Sequence, residues 1–390
     1  MTTEMYSIRA HKTGLLIHAD TIEDTAQVQI DNMVTHPSMK GLIAIMPDVH
    51  AGAGSVIGFT GKFDKSIIAN IVGVDIGCGV VSHRLNKKKI DFEKLDTCIR
   101  KNIPLGFNSR ADDLRNMFKE KELHERIEHL QGLPLMFFHN KNVKMSTHPL
   151  YQLGTLGGGN HFIEIDKDVG GDQYLMVHTG SRNFGLKVAN YFQKKAKQLC
   201  SEMGIETPTD LEYLPMSAGG EDYLKWMKVA QDYAQLNREI IVRIILKYFD
   251  IEFNKDAYME SVHNYIASDN IVRKGAIQAY KGQEVLIPLN MSDGTIIGIG
   301  KGNANYNYSA PHGAGRVFGR KEMKRRLDRG DVSMEAFNKS MKGIYSTSVK
   351  ESTIDESVFA YKRFGDIKEY LEETVYITSI LKPVYNLKSE

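Results

Sequence analysis

Residues 69–85 read ANIVGVDIGCGVVSHRL and combine a β-branched, strand-like run with a glycine-rich turn. The turn carries one carboxylate and one thiol, Asp75 and Cys78, three positions apart. Glycines beside such side chains let the backbone approach a ligand where a Cβ atom would obstruct it. A hydrophobic core does not require this arrangement, so the stretch predicts a strand that serves a binding site.

Three further stretches share this pattern, in which β-branched residues precede a glycine cluster and a polar side chain lies at the turn. They are GLIAIMPDVHAGAGSVIGFTG (41–61), LGTLGGGNHFIEI (153–165) and YLMVHTGSRNFG (174–185). Helical periodicity predicts helices over 111–131, 186–203, 221–249 and 319–342. The strands cluster in hairpin-like groups instead of alternating with helices, which favours an α+β fold over a doubly wound sheet.

The composition is that of an ordinary globular protein. The chain has 390 residues, of which 42% are hydrophobic and 25% charged, and its formal net charge is +2. A charge so near neutral neither indicates nor excludes a nucleic-acid partner, so any anion-binding surface has to be local. The length alone allows two or three domains, but no linker or internal repeat is apparent, and we predict one domain over 1–390.

The cysteine usage and the termini favour a cytoplasmic protein. Three scattered cysteines are too few for a disulfide framework, which points to a reducing compartment. The N-terminal stretch lacks the pattern of a signal peptide, and no apolar run reaches the roughly 18 residues of a membrane span.

Five candidate metal ligands are predicted at loop positions. Besides Asp75 and Cys78, they are His161 in GGGNH, His178 after YLMV and His263 in SVHNY. A carboxylate, a thiolate and three imidazoles suit first-row divalent metals and exceed what one tetrahedral ion uses. Two ions that share a bridging thiolate would account for this set, and such pairs clamp phosphoryl oxygens. A lone histidine or cysteine is more often structural, so spacing alone leaves the metal site open.

A second candidate site is SAPHGAGRVFGRKEMKRRLDRG (309–330). In it, His312 precedes Gly-Ala-Gly and Arg316, and a helix is predicted just beyond. Backbone N–H groups of such a loop, together with a helix N-terminus, favour bound phosphate. An imidazole beside a phosphate can act as an acid, a base or a nucleophile. The basic residues that follow are equally consistent with a solvated helix face.

Taken together, these motifs resemble those of the RtcB family of RNA ligases. The matching stretches, in the family's order, are MPDVHAGAG, VGVDIGCGV, LGTLGGGNHFIEI, VHTGSRNFG, VHNY with VRKGA, SAPHGAGR, DESVFAYK and LKPVYNLKSE. The resemblance implies one α+β domain in which mixed and antiparallel sheets surround a central metal cleft, with peripheral helices. It implies an enzyme that uses GTP and two Mn²⁺ ions to join an RNA 3′-phosphate or 2′,3′-cyclic phosphate to a 5′-hydroxyl. An activating protein is a further candidate partner.

The resemblance also implies the roles of individual residues. Metal-ligand positions fall on Asp75, Cys78, His161, His178 and His263. Cys78 would be shared, with Asp75 and His161 on one ion and His178 and His263 on the other. His312 falls on the guanylylated histidine. Nucleotide-binding positions fall on Asn160, His161, Phe162, Ile163, Glu164, His263, Asn264, Pro288, Leu289, Asn290, Met291, His312, Gly313, Ala314, Gly315, Tyr361 and Lys388.

Three of these nucleotide-binding positions have expected contacts with the base. Glu164 would accept hydrogen bonds from N1–H and N2–H₂ of guanine, which would explain a preference for GTP over ATP. Tyr361 would stack on guanine, and Lys388 would contact it. His50, in PDVH, is predicted to support the site or to contact RNA.

Several alternatives stay open from the sequence. A repair ligase for one toxin-damaged RNA is suggested by PLNMSDGT (288–295), where much of the family has Gly-Ser-Met-Gly; whether Ser292 or Thr295 binds the nucleotide is also open. A metal-dependent phosphoesterase would use the same ions without GTP or a covalent step. A non-catalytic RNA-binding protein would need neither the thiolate nor His312. The same ligands would accept Zn²⁺ or Co²⁺ in place of Mn²⁺.

Overall fold

The computed structural model describes residues 13–131 and 148–389. The strands are β1 (Thr13–Ile17), β2 (Met39–His50), β3 (Ile57–Phe63), β4 (Ser66–Ile68), β5 (Gly79–Asn86), β6 (Phe162–Lys167), β7 (Gln173–Thr179), β8 (Tyr213–Pro215), β9 (Tyr258–Val262), β10 (Asn264–Ile266), β11 (Ile271–Lys274), β12 (Ala276–Gln278), β13 (Glu284–Asn290), β14 (Gly294–Gly300), β15 (Ser309–Pro311) and β16 (Val375–Lys388). The α-helices are α1 (Asp24–Val34), α2 (Phe92–Asn102), α3 (Lys121–Gln131), α4 (Pro149–Gln152), α5 (Arg182–Glu202), α6 (Gly220–Tyr248), α7 (Arg320–Arg329), α8 (Met334–Ser340) and α9 (Phe364–Thr374).

Two sheets dominate the described part of the chain. A five-stranded sheet has the order β1-β2-β3-β11-β10, in which β1 and β2 are parallel and the other neighbours antiparallel. A seven-stranded sheet has the order β13-β14-β16-β6-β7-β5-β9 and is antiparallel throughout. Short ladders join β12 to β15 and β4 to β8. A mixed sheet and an antiparallel sheet, with helices that do not alternate regularly with the strands along the chain, confirm the predicted α+β class.

Helix α6 passes through the core and positions the loops of the site. Its buried residues include the polar pair Asn237 and Arg238, both completely buried. Buried polar groups need hydrogen-bond partners, and these two find them in the glycine-rich loops. Asn237 Oδ1 accepts the N–H of Gly154 at 2.7 Å, and Arg238 Nη1 donates to the carbonyls of Gly77 at 2.7 Å and Thr179 at 2.8 Å. One helix therefore holds three separate loops.

Two of the four sequence stretches have their strand after the glycine loop instead of before it. The strand predicted before the glycine turn is wrong for 69–72, which form turns, and β5 begins only at Gly79. Gly73 and Gly77 have φ angles of 74° and 73°, which end any strand pairing before them. Likewise, β6 begins at Phe162, after the GGGNH loop.

The helix predicted over 111–131 is shorter than its periodicity indicates. Residues Leu114–Asn116 form a separate 3-10 turn, because the Asp113 carboxylate accepts the N–H of Arg115 at 2.9 Å and fixes a local turn. Helix α3 begins only at Lys121. The hydrogen bond from the backbone of Arg115 to the short Asp113 side chain therefore overrides the helical pattern of the sequence.

The helix predicted over 319–342 is two helices. Gly330, at a φ angle of 81°, ends α7 in the left-handed conformation, and the Ser333 side chain caps α8. The helices predicted over 186–203 and 221–249 are confirmed as α5 and α6.

Two expectations from the sequence concern the chain as a whole. Among the described helices, none combines the length and the apolarity that crossing a bilayer requires. Most of the N-terminal stretch without a signal-peptide pattern, residues 1–12, lies outside the described residues. The single domain over 1–390 stays a prediction.

Candidate active site

The candidate metal ligands converge although they are far apart in the sequence. Sγ of Cys78 lies 3.6 Å from Nε2 of His161 and 3.3 Å from Nε2 of His178. Nε2 of His178 in turn lies 3.3 Å from Nε2 of His263, and Asp75 Oδ2 lies 3.0 Å from Nε2 of His161. The donor atoms thus form a continuous series in the order Asp75, His161, Cys78, His178, His263. We call these five residues the donor cluster.

The register of the seven-stranded sheet explains this convergence. Gly79 of β5 pairs with Thr179 of β7 and with Val262 of β9. Phe162 of β6 pairs with His178 of β7. His178 is one of these paired residues, and Cys78, His161 and His263 each lie next to one in the chain. These four candidate ligands therefore meet at the same end of neighbouring strands.

The protonation states of the donor cluster suit a bound cation. Burial lowers the pKa of His178 and of His263 well below the usual range, so both imidazoles are neutral and have a free lone pair. Burial opposes ionisation of Asp75, but the hydrogen bond and charge of His161 outweigh it and lower the pKa of Asp75 to about 2. Burial, and then the Asp75 charge, raise the pKa of the Cys78 thiol, which a cation would reverse.

The ring of His161 is oriented by a second hydrogen bond. Its Nδ1–H donates to the carbonyl of Leu156 at 2.9 Å, which turns Nε2 towards Cys78. One carboxylate, one thiol and three imidazoles fit first-row divalent cations. The completely or largely buried trio Cys78, His161 and His178 has its three donor atoms within 4.8 Å of one another. The residues present therefore fit a metal site.

A cleft of about 600 Å³, including its open mouth, lies beside the donor cluster. This is within the range of small-molecule sites. The residues predicted to bind nucleotide that line it are Asn160, Phe162, Glu164, Pro288, Leu289, Asn290, His312, Gly313, Ala314, Gly315, Tyr361 and Lys388. His50, His178 and Arg316 complete the lining. We call this space the nucleotide cleft.

Five residues predicted to contact nucleotide do not line the cleft. His161 and His263 belong to the donor cluster. Ile163 and Met291 are completely buried in hydrophobic cores. Asn264 instead ties the backbone together: its Oδ1 accepts an N–H from Gly275 at 3.0 Å and its Nδ2 donates to the Asp75 carbonyl at 3.3 Å. Their nucleotide contacts stay predictions.

Neither hydroxyl that the sequence left open lines the cleft. Ser292 Oγ faces the Met341 sulfur at 3.5 Å, and Thr295 is completely buried. Ser292 lies in the turn between β13 and β14, and Thr295 lies in β14. Pro288, Leu289 and Asn290 of β13 line the cleft, whereas these two residues do not.

His312 lies at the edge of the nucleotide cleft, between Asp48 and the donor cluster. Its Nδ1 is 2.6 Å from Oδ2 of Asp48, and its ring centroid is 4.8 Å from that of His263. Asp48 is completely buried, and the same oxygen also accepts the backbone N–H of His312 at 3.2 Å. A carboxylate at Nδ1 favours the tautomer with its proton there and leaves the lone pair on Nε2.

The far side of the cleft is a buried network around Glu356. Lys388 Nζ donates to Glu356 Oε2 at 3.0 Å and to the Asn160 carbonyl at 3.1 Å. The Tyr361 hydroxyl donates to the same carboxylate oxygen at 2.7 Å, and Arg316 pairs with the other. Burial opposes ionisation of Glu356, but the charges of Lys388 and Arg316 outweigh it and lower its pKa. The Glu356 carboxylate thus fixes the positions of three residues that line the cleft, Lys388, Tyr361 and Arg316.

Glu164 is a buried acceptor in the nucleotide cleft. Asn386 Nδ2 donates to its Oε1, and both residues pair across β6 and β16. Burial, followed by the neighbouring Asp166 carboxyl, raises the pKa of Glu164 well above its usual range. A ligand that presents N–H donors to Glu164 would favour its ionised form.

Comparison with known proteins identifies the family. The model of the family described as tRNA-splicing ligase RtcB matches residues 29–389. This chain belongs to the RtcB family. The RNA-splicing ligase RtcB of Escherichia coli strain K12 is 30% identical over 420 residues, covering 100% of this chain and 98% of that relative. The tRNA-splicing ligase RtcB of Archaeoglobus fulgidus is 28% identical, covering 94% and 90%. The resemblance inferred from the motifs is confirmed.

Sequence reasoning missed several residues that organise this RtcB-family site. Asp48 and Glu356 both lie inside quoted motifs, PDVH and DESVFAYK, so the motif residues themselves were the available indication. Asn237 and Arg238 lie on a helix predicted from its apolar positions. The only indication in the sequence that they contact the loops was that two adjacent polar residues interrupt the apolar pattern of this helix.

Proposed function

We propose that this RtcB-family chain is an RNA ligase that joins an RNA 3′-phosphate or 2′,3′-cyclic phosphate end to a 5′-hydroxyl end, with GTP and Mn²⁺. The main support is the position of His312. This residue lines the nucleotide cleft, and its Nδ1 is hydrogen-bonded to Asp48. The centroid of its ring lies 4.8 Å from that of the donor-cluster residue His263. A phosphoesterase without a covalent step would not require this histidine.

Two Mn²⁺ ions would be held by the donor cluster, with the Cys78 thiolate shared between them. Asp75 and His161 would serve one ion, and His178 and His263 the other. When bound, such ions neutralise phosphate oxygens during phosphoryl transfer. The short distances from Cys78 to both His161 and His178 support the shared role.

His312 would act as the nucleophile in the first step. Its Nε2 lone pair would form a bond to the α-phosphorus of GTP while the bond to the pyrophosphate oxygen breaks. Positive charge then develops on the ring, and the hydrogen bond from Nδ1–H to Asp48 stabilises it. The oriented imidazole would therefore be both a positioned nucleophile and a good leaving group for the next transfer.

The GMP group would then pass to the RNA. An oxygen of the RNA 3′-phosphate attacks the GMP phosphorus, and the bond to Nε2 of His312 breaks. The 5′-hydroxyl of the second RNA attacks the activated 3′-phosphorus, and GMP leaves. Covalent catalysis splits one difficult step into easier ones. A cyclic phosphate end would first be opened by water.

The base of GTP would be recognised at the Glu356 side of the nucleotide cleft. Glu164 would accept from guanine N1–H and N2–H₂, donors that adenine does not present at this edge. Lys388 would contact the base, and Tyr361 would stack on it. The fixed positions of Lys388 and Tyr361 on Glu356 support this arrangement.

A joining assay tests the proposed function. Two short RNAs, one with a 3′-phosphate and one with a 5′-hydroxyl, should be joined only when both GTP and Mn²⁺ are present. His312→Ala should abolish joining, whereas His129→Ala, at an exposed position on α3, should not. Hydrolysis of the RNA end without GTP, in place of joining, would contradict the proposal and indicate a phosphoesterase.

The cellular RNA distinguishes a splicing ligase from a dedicated repair ligase. We infer that the substrate is either a pair of spliced tRNA halves or a nicked tRNA or ribosomal RNA. We further propose that the protein is a single-domain cytoplasmic ligase, for which an activating protein is a candidate partner. Comparing initial joining rates on tRNA halves and on a nicked ribosomal fragment decides between the two. Faster joining of the ribosomal fragment would favour repair.

A further inference from the structure

The donor cluster is open to solvent at Asp75. The Asp75 side chain is 31% exposed, whereas Cys78, His178 and His263 are buried. Asp75 does not line the nucleotide cleft. A second ligand could therefore reach the cluster at Asp75 without passing through the space that GTP would occupy.

A guanidinium group flanks this opening. The backbone N–H of Ser181 donates to Asp75 Oδ1 at 3.1 Å, and Arg182 follows directly in the chain. Arg182 has a φ angle of 56°, a left-handed conformation that is unusual for a residue with a side chain. Its Nη2 donates to the carbonyl of Gly106 at 2.9 Å. Its Nε also donates to Thr155 Oγ1 at 3.2 Å, so the surrounding loops hold the guanidinium in place, and its positive charge would attract a phosphate at the opening.

The loop that Arg182 contacts is fixed to the site through its backbone. The N–H of Leu156 donates to the carbonyl of Pro104 at 3.0 Å, and the N–H of Gly106 donates to the carbonyl of Gly157 at 2.9 Å. Ser389 Oγ also accepts the Gly106 N–H, at 2.9 Å. The carbonyl of the same Leu156 orients His161. The loop is thus tied directly to the donor cluster.

Phe107 projects from this fixed loop into solvent, with 103% relative exposure. Single exposed apolar residues are common. Here, however, Phe107 directly follows Gly106, whose carbonyl Arg182 binds, and the Arg320 guanidinium lies beside Gly159 of the loop with which Gly106 pairs. A solvent-exposed aromatic ring on a loop that an arginine side chain binds is a combination suited to single-stranded nucleic acid, through base stacking and phosphate attraction.

We propose that Phe107 stacks on the terminal nucleobase of the RNA strand whose 3′-phosphate approaches the donor cluster at Asp75, with Arg182 attracting that phosphate. The inference rests on the proposed RNA ligase function and adds a residue that positions the RNA. The strand with the 3′-phosphate is favoured over the 5′-hydroxyl strand, because only the former brings an anionic end to Arg182.

Affinity measurements on three variants test this proposal. Phe107→Ala should weaken the binding of a 3′-phosphorylated oligoribonucleotide, measured by fluorescence anisotropy, by at least about fivefold, as expected for loss of one base stack. Phe107→Trp should retain the affinity and quench a 2-aminopurine placed at the terminal position. Tyr376→Ala is the matched control, because Tyr376 is an aromatic residue with 63% exposure near the opposite end of β16 from Lys388. Its affinity should equal that of the wild type.

Labelling with GTP separates this proposal from the proposed function. Transfer of label from GTP to the protein needs no RNA, so Phe107→Ala should be labelled at the wild-type rate while its KM for the 3′-phosphorylated RNA rises. Absence of label on the wild type would contradict the ligase function, and the RNA affinities would still decide the role of Phe107. Equal affinity of wild type and Phe107→Ala, or equal loss in Phe107→Ala and Phe107→Trp, would overturn the stacking proposal.

Discussion

At the scale of single residues, the proposed chemistry depends on how Asp48 orients His312. Asp48 is completely buried and its Oδ2 accepts both the Nδ1–H and the backbone N–H of His312. Two hydrogen bonds to one oxygen fix the position of the histidine as well as its tautomer. A nucleophilic imidazole needs an unprotonated Nε2, and in the neutral ring a proton held on Nδ1 by Asp48 leaves the lone pair there.

Replacing Asp48 with Asn tests this orienting role. Asn keeps the shape of the side chain but removes the charge, and it can present an N–H to Nδ1, which would place the ring proton on Nε2. We expect the rate of label transfer from GTP to the protein to fall at least about 100-fold, by analogy with other oriented histidines. Thermal melting of the variant should be close to that of the wild type. A labelling rate within a few fold of wild type would argue against the role of Asp48.

His50 makes the stability of the metal-free protein depend on pH. Burial lowers its pKa from 6.5 to about 4, although hydrogen bonding to the Asp48 carbonyl works in the other direction. Between pH 4 and 6.5 the unfolded chain therefore binds more protons at this residue than the folded chain does. Its contribution to stability is complete above pH 6.5 and is lost as the pH falls towards 4.

The variant His50→Gln measures this contribution. With chelator present, the melting temperature of the wild type should decrease as the pH is lowered from 7 to 4.5, and that of the variant should decrease less. The difference is a change in slope because the buried residues His178 and His263, whose pKa values are also lowered, act in the same direction. Parallel curves for the two proteins would exclude a titrating role for His50.

The sequence indicated candidate ligands more readily than it indicated the residues that hold them. Asp75, Cys78 and His161 stand out because a carboxylate, a thiol and an imidazole occur together in glycine-rich motifs that resemble those of the RtcB family. Asp48 and Glu356 act through tertiary hydrogen bonds to residues that are distant in the chain. No local pattern encodes such a contact, so only the folded structure shows their roles.

At the scale of structural elements, the loop after β15 packs directly on the end of β2. Gly315 has a φ angle of 78°, and a Cβ atom there would overlap the carbonyl oxygen of Asp48. The Gly315 carbonyl accepts the N–H of Lys362 at 2.9 Å, and Lys362 Nζ donates to the carbonyl of Pro47 at 2.7 Å. The close contact keeps Asp48 and His312 in register.

Gly315→Ala should disturb both elements together. A side chain in a left-handed position that also collides with backbone costs about 1–3 kcal/mol, measured as a lower free energy of unfolding in urea. Labelling by GTP should slow as well, because the loop moves His312 relative to Asp48. Gly319→Ala is the matched control, since a Cβ at Gly319 meets no atom within 4 Å. Equal stability of the two variants would contradict this explanation.

Element types were easier to predict than element boundaries. The long helix α6 follows from periodicity over 221–249, because its apolar positions recur at helical spacing over many turns. The strand predicted before Asp75 fails, because left-handed glycines at 73 and 77 need turns. The end of α7 at Gly330 cannot be seen in the hydrophobic periodicity of the sequence for the same physical reason. One left-handed backbone angle ends the helix although the side-chain pattern continues.

At the scale of the whole molecule, the site is assembled from both large sheets and one buried helix. The seven-stranded sheet supplies most of the donor cluster, β2 supplies Asp48, and α6 binds the glycine-rich loops around the donor cluster through Asn237 and Arg238. A cation bound to the cluster would join segments distant in the sequence. Metal binding should therefore stabilise the entire fold, as ligands that bind only the folded state do.

Removal of metal should lower the melting temperature. Added Mn²⁺ should restore it, by about 2.7 kcal/mol of stability at a concentration 100 times its Kd. Cys78→Ala should largely lose this response, because Cys78 lies between His161 and His178 in the donor cluster. Cys200→Ala, a buried cysteine outside the donor cluster, is the control and should respond as the wild type does. A full response in Cys78→Ala would exclude the shared thiolate.

The central claim is that a metal-binding cluster and a nucleotide cleft meet at one nucleophilic histidine. Incubation with GTP labelled at the α-phosphate and Mn²⁺, followed by peptide mapping, tests it most directly. We predict an acid-labile GMP adduct on His312, with none on His312→Ala and none when Mn²⁺ is omitted. A wild-type protein that binds GTP and Mn²⁺ but carries no adduct, or carries it on another residue, would contradict the claim.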